Sequence, residues 1–246
     1  MYVSEIDVLD LVIIQRRSMK IISVFLVAIA FAFATGDNLD DAVKYIDEVL
    51  SVYVPWAVEK ANLELCELPN FTHNQQNRSA DGAVTNTQVI YHSGNLTGLQ
   101  TVNRKSCEQP SWASGNISVV CNIVLPEIDV KYEGRYQAIT GYTSPYGVHI
   151  RQFDFHVKLT VVDIEAKLEV TSSPHVKIPS IKNLEIVTAG KPEISFVTQT
   201  DVNISFEQIS GHFYHKYNTL FEEFFLADYR EALERAVESV TYPQSA

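Results

Sequence analysis

Residues 210–240 read SGHFYHKYNTLFEEFFLADYREALERAVESV, and this stretch decides how the rest of the chain must fold. Apolar side chains recur there at steps of three and four residues, which is the period of an α-helix with one wide apolar face. The apolar positions are Phe213, Tyr217, Leu220, Phe221, Phe224, Phe225, Leu233, Ala236, Val237 and Val240. At 1.5 Å per residue, a helix of this length spans on the order of 45 Å. We therefore expect an equally long apolar surface to cover it.

Long alternating strands are the candidates for that surface. From Thr87 onward, apolar residues recur at every second position, as in strands with one buried face. The longest segment, Val148–Val170, contains no turn signal, and its alternation shifts by one residue before Phe153 and again before Ile164. Each shift predicts a β-bulge, which bends and twists a strand. A hairpin at Val162-Asp163 is the alternative, although its turn chemistry is poor.

A second helix is predicted near the N-terminus, where an apolar stripe at helical spacing comprises Leu39, Val43, Ile46, Leu50 and Val54. Pro55 should kink or divide this helix. Residues 71–87, which are rich in Asn and Gln and contain Gly82, predict a glycosylated surface loop. Together these elements predict an α+β fold. We expect a strongly curved, long-stranded antiparallel sheet wrapped around long N- and C-terminal amphipathic helices.

The N-terminus has the features of a secretory signal peptide. Three basic residues within Arg16–Lys20 precede the apolar run Ile21–Ala34, which ends in small residues. This run is shorter than the ~20 residues that a membrane-spanning helix needs. We therefore interpret residues 1–34 as an N-terminal extension with a signal peptide, and residues 35–246 as a single domain, secreted without stable membrane insertion. Met19 is an alternative start to Met1.

Five glycosylation sequons agree with secretion. Asn-X-Ser/Thr triplets occur at Asn70, Asn77, Asn95, Asn116 and Asn203. Each triplet alone is weak, but five of them behind a signal peptide favour a glycoprotein whose sequons face solvent.

Three cysteines in an oxidising compartment leave one unpaired. Cys107 and Cys121 flank a turn-rich connection, so a hairpin would place them opposite each other. This favours a Cys107–Cys121 disulfide with Cys66 free. A Cys66–Cys107 bridge is the alternative.

The charge and the motifs exclude several classes of function. The net charge of −11 argues against nucleic acid as a partner. The sequence contains no G-x-S-x-G elbow, no phosphate-binding loop, no G-x-G-x-x-G and no H-E-x-x-H. His212 and His215 lie three residues apart, but no third metal ligand can be assigned to them. We therefore expect no enzymatic activity, no metal and no cofactor.

Three segments resemble a known family. Leu96-Thr-Gly-Leu99, Val130-Lys-Tyr-Glu-Gly-Arg-Tyr136 and Val148-His-Ile-Arg-Gln-Phe-Asp-Phe155 are similar to mite group 7 allergens. Those allergens are related to the bactericidal/permeability-increasing protein and to insect juvenile-hormone-binding and takeout proteins. The resemblance covers about Asn38–Val240 and implies a curved sheet around long helices with a lipid-binding groove. The sequons and the cysteine pair are not part of the allergen pattern, and no motif for a particular ligand carries over.

The function we expect is that of a secreted glycoprotein that binds and carries a lipid or another hydrophobic small molecule in an apolar groove, without catalysis. The expected groove residues are Ile46, Leu50, Val54, Phe155, Val157, Leu159, Tyr217, Phe221, Phe224 and Phe225. Each of them could instead be ordinary core. The alternative function is extracellular innate recognition of a microbial lipid or a receptor, although the acidic charge argues against capture of lipopolysaccharide through basic residues.

Overall fold

The structure is a computed structural model. It describes residues 39–80, 82–113, 115–141, 147–173, 178–198 and 207–242. The predicted signal peptide and the Asn203 sequon lie outside the described residues.

The helices lie at the two ends of the described chain. At the N-terminal end, α1 (residues 39–48) continues through a π-helical turn, Val49–Tyr53, into α2, Val54–Lys60. At the C-terminal end, α3 (Glu207–Phe224) continues through a second π-helical turn, Phe225–Tyr229, into α4, Arg230–Glu238. The helical prediction for residues 210–240 is thus confirmed up to Glu238, where α4 ends. None of the described helices is both long enough and apolar enough to cross a lipid bilayer.

Pro55 accounts for the first π-helical turn. Proline has no backbone N–H, and its ring crowds the carbonyl group of the residue four positions earlier, which here is Ser51. A π-helical turn widens the spacing of the backbone hydrogen bonds at this point. The helix therefore continues past Pro55, which is the second residue of α2.

Nine antiparallel strands form one sheet in the described residues. They are β1 (Cys66–Leu68), β2 (Phe71–Arg78), β3 (Val84–Thr97), β4 (Asn103–Cys107), β5 (Ser111–Ala113), β6 (Asn116–Gly141), β7 (Val148–Ser172), β8 (Ser180–Thr188) and β9 (Lys191–Thr198). The main order is β1-β3-β6-β7-β8, while β2 also pairs with β3, β4 and β5 pair with β6, and β9 pairs with β7. The coarse prediction of an antiparallel sheet combined with helices is confirmed, and the sheet is not closed within the described residues.

The predicted loop at residues 71–87 is wrong. Phe71–Arg78 is strand β2, and Val84 begins β3, its pairing partner. Asn and Gln have a low preference for strands, but the pairing with β3 supplies the backbone hydrogen bonds that a loop would have lacked.

The prediction of bulges in β7 is also wrong for its pairing with β6, its main partner. The pairing of β6 with β7 keeps one register along its whole length. Ile117 is the partner of Ser172 at one end, and Gly141 is the partner of Val148 at the other. Before Ile164 the alternation of buried and exposed side chains shifts by one residue on β7, and it shifts on β6 at the same place, so the pairing is undisturbed. Asp163, at this position, takes a left-handed backbone conformation with φ of 59°. The register shifts recorded for β7 lie in its pairing with β8. The hairpin alternative is excluded because β7 is continuous.

The shift before Phe153 has a different cause. Val148 and Ile150 lie on the opposite face of β7 from Phe153, and both are exposed. They are not part of the core.

The helices cover the inner face of the sheet. Tyr45 Oη donates a hydrogen bond to the Val237 carbonyl oxygen at 3.1 Å, which joins the two ends of the chain. Arg104 makes two hydrogen bonds with the Asp47 carboxylate, at 2.7 and 3.0 Å, which attaches the first helix to β4. The buried apolar residues of both helical segments and of the strands form one continuous cluster.

The disulfide prediction is confirmed. Cys107 and Cys121 are bonded, and they are direct partners in the pairing of β4 with β6. Cys66 is a buried free cysteine. Asn70, Asn77 and Asn116 are exposed and Asn95 is half-buried, but their glycosylation stays a prediction.

Candidate functional site

The C-terminal helix carries a ladder of stacked aromatic rings on its buried side. The rings of Tyr217, Phe221, Phe225 and Tyr229 follow one another with centroid distances of 5.6, 5.6 and 5.1 Å. Four-residue steps place successive side chains on one side of a helix, and the π-helical turn Phe225–Tyr229 carries the last step. The ladder forms an aromatic wall along the core, with phenol groups at its two ends and phenyl groups between them.

A second aromatic group lies at the N-terminal end of α3. The Phe213 ring lies 5.2 Å from Tyr91, 5.8 Å from Tyr132, 6.1 Å from Phe71 and 6.5 Å from Phe196. These four partners come from β3, β6, β2 and β9. We call Phe213 and its four partners the aromatic box. It attaches the start of α3 to one end of the sheet.

Within the described residues, four buried tyrosine hydroxyl groups have no hydrogen-bond partner: those of Tyr91, Tyr217, Tyr229 and Tyr242. The first three belong to the aromatic box and the aromatic ladder. In contrast, Tyr132 Oη donates to the Pro69 carbonyl oxygen at 3.0 Å. Burial raises the pKa of the three unpartnered phenols of the box and the ladder well above the ordinary value, because an apolar environment disfavours the charged phenolate. Each hydroxyl group therefore stays protonated and can donate a hydrogen bond to an acceptor atom.

All ten predicted groove residues lie in the same buried cluster as these tyrosines. The stripe of α1 and α2 contributes three, β7 contributes three, and the C-terminal helix contributes four. The sequence pattern thus correctly predicted that these faces of the helices and of β7 are buried. Burial of this kind is common to an ordinary core and to a closed binding interior, so the assignment of these ten to a ligand stays a prediction.

The sequence did not identify the aromatic box or the unpartnered hydroxyl groups. Tyr91 and Tyr132 occupy inward positions of alternating strands, so their burial was predictable. Their meeting with Phe213 depends on the pairing of β3 with β6 and on where α3 is placed. No local signal in the sequence specifies either.

In the described part of the chain, the histidines of α3 belong to no group of metal ligands. The His212 ring stacks on His73 of β2, with ring centroids 3.7 Å apart and planes inclined by 25°. Within the described residues, no group of three or more His, Cys, Asp or Glu side chains is arranged to hold a metal ion. Stacked imidazole rings direct their nitrogen atoms sideways rather than towards a shared point, which does not suit coordination of one ion.

No family model and no curated protein sequence matches this chain. The solved structures that are similar to it include the following two. A crystal structure of lipopolysaccharide binding protein is 13% identical, with a TM-score of 0.40 over 82% of this chain and 39% of that one. A crystal structure of Epiphyas postvittana Takeout 1 is 14% identical, with a TM-score of 0.38 over 83% of this chain and 95% of that one.

Both likenesses are distant. This chain spans well under half the length of the lipopolysaccharide binding protein. At such identities and TM-scores, we draw no conclusion about ligands or site residues from either structure. The resemblance to mite group 7 allergens stays a prediction.

Proposed function

We propose that this protein is a secreted glycoprotein that binds and carries an apolar ligand, a lipid or lipid-like small molecule, between its sheet and its helices, without catalysis. The observation that carries the proposal is the set of unpartnered hydroxyl groups of Tyr91, Tyr217 and Tyr229 in an aromatic interior. A buried polar group without a partner costs ~1–3 kcal/mol. A mainly apolar ligand with an oxygen or nitrogen acceptor would remove that cost while it contacts the rings.

The aromatic ladder supplies the apolar contact surface. Tyr217 and Tyr229 are twelve residues apart, so the ladder spans roughly 18 Å along the helix. A chain-like ligand lying along Phe221 and Phe225 would bury a few hundred Å² of its surface, which corresponds to several kcal/mol at ~25 cal/mol per Å². Only part of this gain would appear as affinity, because ordering of the ligand opposes it.

The ten predicted groove residues define where the ligand would lie. Ile46, Leu50 and Val54 would contact it from the first helix, and Phe155, Val157 and Leu159 from β7. Tyr217, Phe221, Phe224 and Phe225 would contact it from α3 and the π-helical turn that follows. In this proposal the sheet curves around the helices as in the bactericidal/permeability-increasing protein, and the ligand enters when α3 separates from the strands.

The proposed secretion rests on two kinds of observation. The N-terminal sequence has the order of a signal peptide, and the Cys107–Cys121 disulfide is typical of proteins that mature in an oxidising compartment. Glycosylation would then occur at some or all of the five sequons.

Native mass spectrometry tests the proposal most directly. The protein would be secreted from eukaryotic cells, treated with a glycosidase and measured intact. We expect an additional mass that leaves on organic extraction, and uptake of a fluorescent fatty acid by the extracted protein. A mass equal to that of the polypeptide alone, together with no uptake after extraction, would reject the carrier function. Turnover of simple esters would reject the claim that no catalysis occurs.

A further inference from the structure

The outer face of the sheet holds a groove of about 520 Å³ with an unusual chemical composition. Six of its eight lining residues carry side-chain amides, and none is ionisable. The lining residues are Asn74, Gln75, Gln76, Asn86, Thr87, Gln88, Gln137 and Ile139. One residue in five of the whole chain is charged, so an uncharged, amide-rich groove stands apart from the rest of the surface.

The strand register arranges these amides in rows. One row crosses four neighbouring strands, and each of its residues is the register partner of the next. It consists of Asn74 of β2, Gln88 of β3, Gln137 of β6 and Gln152 of β7. Neighbouring strands lie ~4.8 Å apart, so this row of four amides extends roughly 14 Å across the sheet.

The next row of the sheet adds apolar surface. It consists of Gln76, Asn86, Ile139 and Ile150, in the same strand order. Ile139 and Ile150 are both exposed. A ligand that crosses the strands would therefore meet amide groups along one row and aliphatic side chains at the end of the other.

The amides keep much of their hydrogen-bonding capacity. Gln76 Nε2 donates to Asn86 Oδ1 at 2.8 Å, and Gln88 Nε2 donates to Asn74 Oδ1 at 3.2 Å. Each amide offers two donor hydrogens and an acceptor oxygen, so these single bonds leave both donors and acceptors open on each pair. The Gln137 side chain makes no hydrogen bond with another described residue. The groove thus presents donors and acceptors in a regular array.

We propose that this groove binds a neutral oligosaccharide. Each sugar hydroxyl both donates and accepts hydrogen bonds, which is the capacity that a row of amides satisfies. The exposed isoleucines would contact the C–H faces of the sugar rings. Nucleic acids and sulfated or sialylated glycans fit poorly, because the lining holds no cationic side chain to balance their charge.

The saccharide has two possible sources with the same chemistry. One is an oligosaccharide of another molecule. The other is a glycan of this chain at Asn77, which is exposed on β2. Successive side chains of a strand point to opposite faces, so Asn77, whose Oδ1 accepts a hydrogen bond from Gln75 at 3.2 Å, lies on the other face from Asn74 and Gln76. A glycan on Asn77 would reach the groove by passing around β2, which pairs with β3 alone among the described strands.

The test compares the secreted wild-type protein with Asn77→Gln, which cannot carry that glycan. Both would be titrated with neutral hexasaccharides of mannose, glucose and N-acetylglucosamine, followed by calorimetry and by NMR of the saccharide. We expect millimolar or tighter binding of at least one of them by Asn77→Gln. The double variant Gln88→Ala/Gln137→Ala, in the Asn77→Gln background, should bind at least about tenfold more weakly. Asn183→Ala, which removes an exposed amide on β8, is the matched control and should bind unchanged.

The outcomes distinguish the two sources of the saccharide, and they also show whether the groove binds a saccharide at all. Binding by both proteins supports an external saccharide, whereas binding by Asn77→Gln alone supports occupation by the chain's own glycan. Absence of binding by both, or binding that the double variant does not weaken, would overturn the proposal. The groove lies on the face of the sheet opposite the aromatic interior, so this result is independent of whether an apolar ligand is carried.

Discussion

The ring of Phe155 lies directly over the backbone of Gly134, its register partner across the β6–β7 pairing. A Cβ atom on residue 134 would overlap the ring. Tyr132 lies in the same way over Gly94 of β3. Two glycines therefore leave the space in which two aromatic residues of the interior lie against the sheet.

Substitution Gly134→Ala should displace the Phe155 ring and lower the free energy of unfolding by ~1–3 kcal/mol, as overpacking of a core does. Gly141→Ala in the same strand is the control, because an added Cβ there meets no atom within 4 Å. Chemical denaturation of both variants measures the difference. Equal stability of the two would mean that Phe155 does not occupy this position in solution.

Removal of the unpartnered hydroxyl groups should not destabilise the ligand-free protein. We expect Tyr217→Phe and Tyr229→Phe to leave its free energy of unfolding unchanged or to raise it, because each removes a buried polar group without a bond. Tyr45→Phe is the control and should cost ~1 kcal/mol, because it removes the hydrogen bond to Val237. Denaturant unfolding after organic extraction checks this. A loss for Tyr217→Phe as large as that for Tyr45→Phe would show that the hydroxyl has a partner.

Substitution of two phenylalanines of α3 distinguishes a binding interior from an ordinary core. If Phe221 and Phe224 only fill the core, Phe221→Ala and Phe224→Ala should each cost ~3–5 kcal/mol of stability. If they contact a ligand, we expect a smaller loss of stability, together with weaker uptake of a fluorescent fatty acid or a changed preference for chain length. Leu233→Ala is the core control, because the Leu233 side chain of α4 is fully buried. Losses equal to that control, with uptake unchanged in the folded fraction, would place the ligand elsewhere.

The stacked pair His73–His212 should make stability sensitive to acid. Burial and the neighbouring His212 lower the pKa of His73, whose Nε2 is buried without a partner. Below the ordinary histidine pKa of about 6.5, the unfolded chain binds protons that the folded chain resists. Stability should therefore be constant above that pH and fall as the pH decreases below it.

Denaturation between pH 7.5 and pH 5 measures this slope. His73→Phe should flatten it, since the aromatic stacking is kept and the titrating group is removed. His156→Phe, which changes an exposed histidine on the outer face of β7, should keep the slope of the wild type. An unchanged slope in His73→Phe would assign the acid sensitivity to other groups.

The cysteines should differ sharply in their chemistry. Peptide mapping without reduction should recover Cys107 linked to Cys121, a loop whose closure contributes ~3 kcal/mol in the chain-entropy model. Burial, with Asp228 and Glu67 nearby, raises the pKa of the Cys66 thiol, so alkylation by iodoacetamide should require unfolding. Rapid alkylation of Cys66 in the native protein would contradict the structure.

The sequence by itself determined the features that depend on local periodicity. Residues 210–240 had to be helical because their apolar side chains align only at a helical repeat. The alternation in β6 and β7 likewise specified which side chains face inward, and the short connection between Cys107 and Cys121 made their pairing predictable. Each of these follows from neighbours within a few turns or one hairpin of the chain.

Only the tertiary structure decided the features that depend on how strands pair with one another. Residues 71–78 have no apolar alternation of their own, and they form β2 because β3 supplies the hydrogen bonds. The shift of alternation near Asp163 leaves the register intact because β6 shifts at the same place. The aromatic box, the unpartnered tyrosines and the rows of amides exist because strands far apart in sequence are brought into register. A pattern along one segment cannot specify the register of another, since that choice depends on the packing energy of the whole sheet.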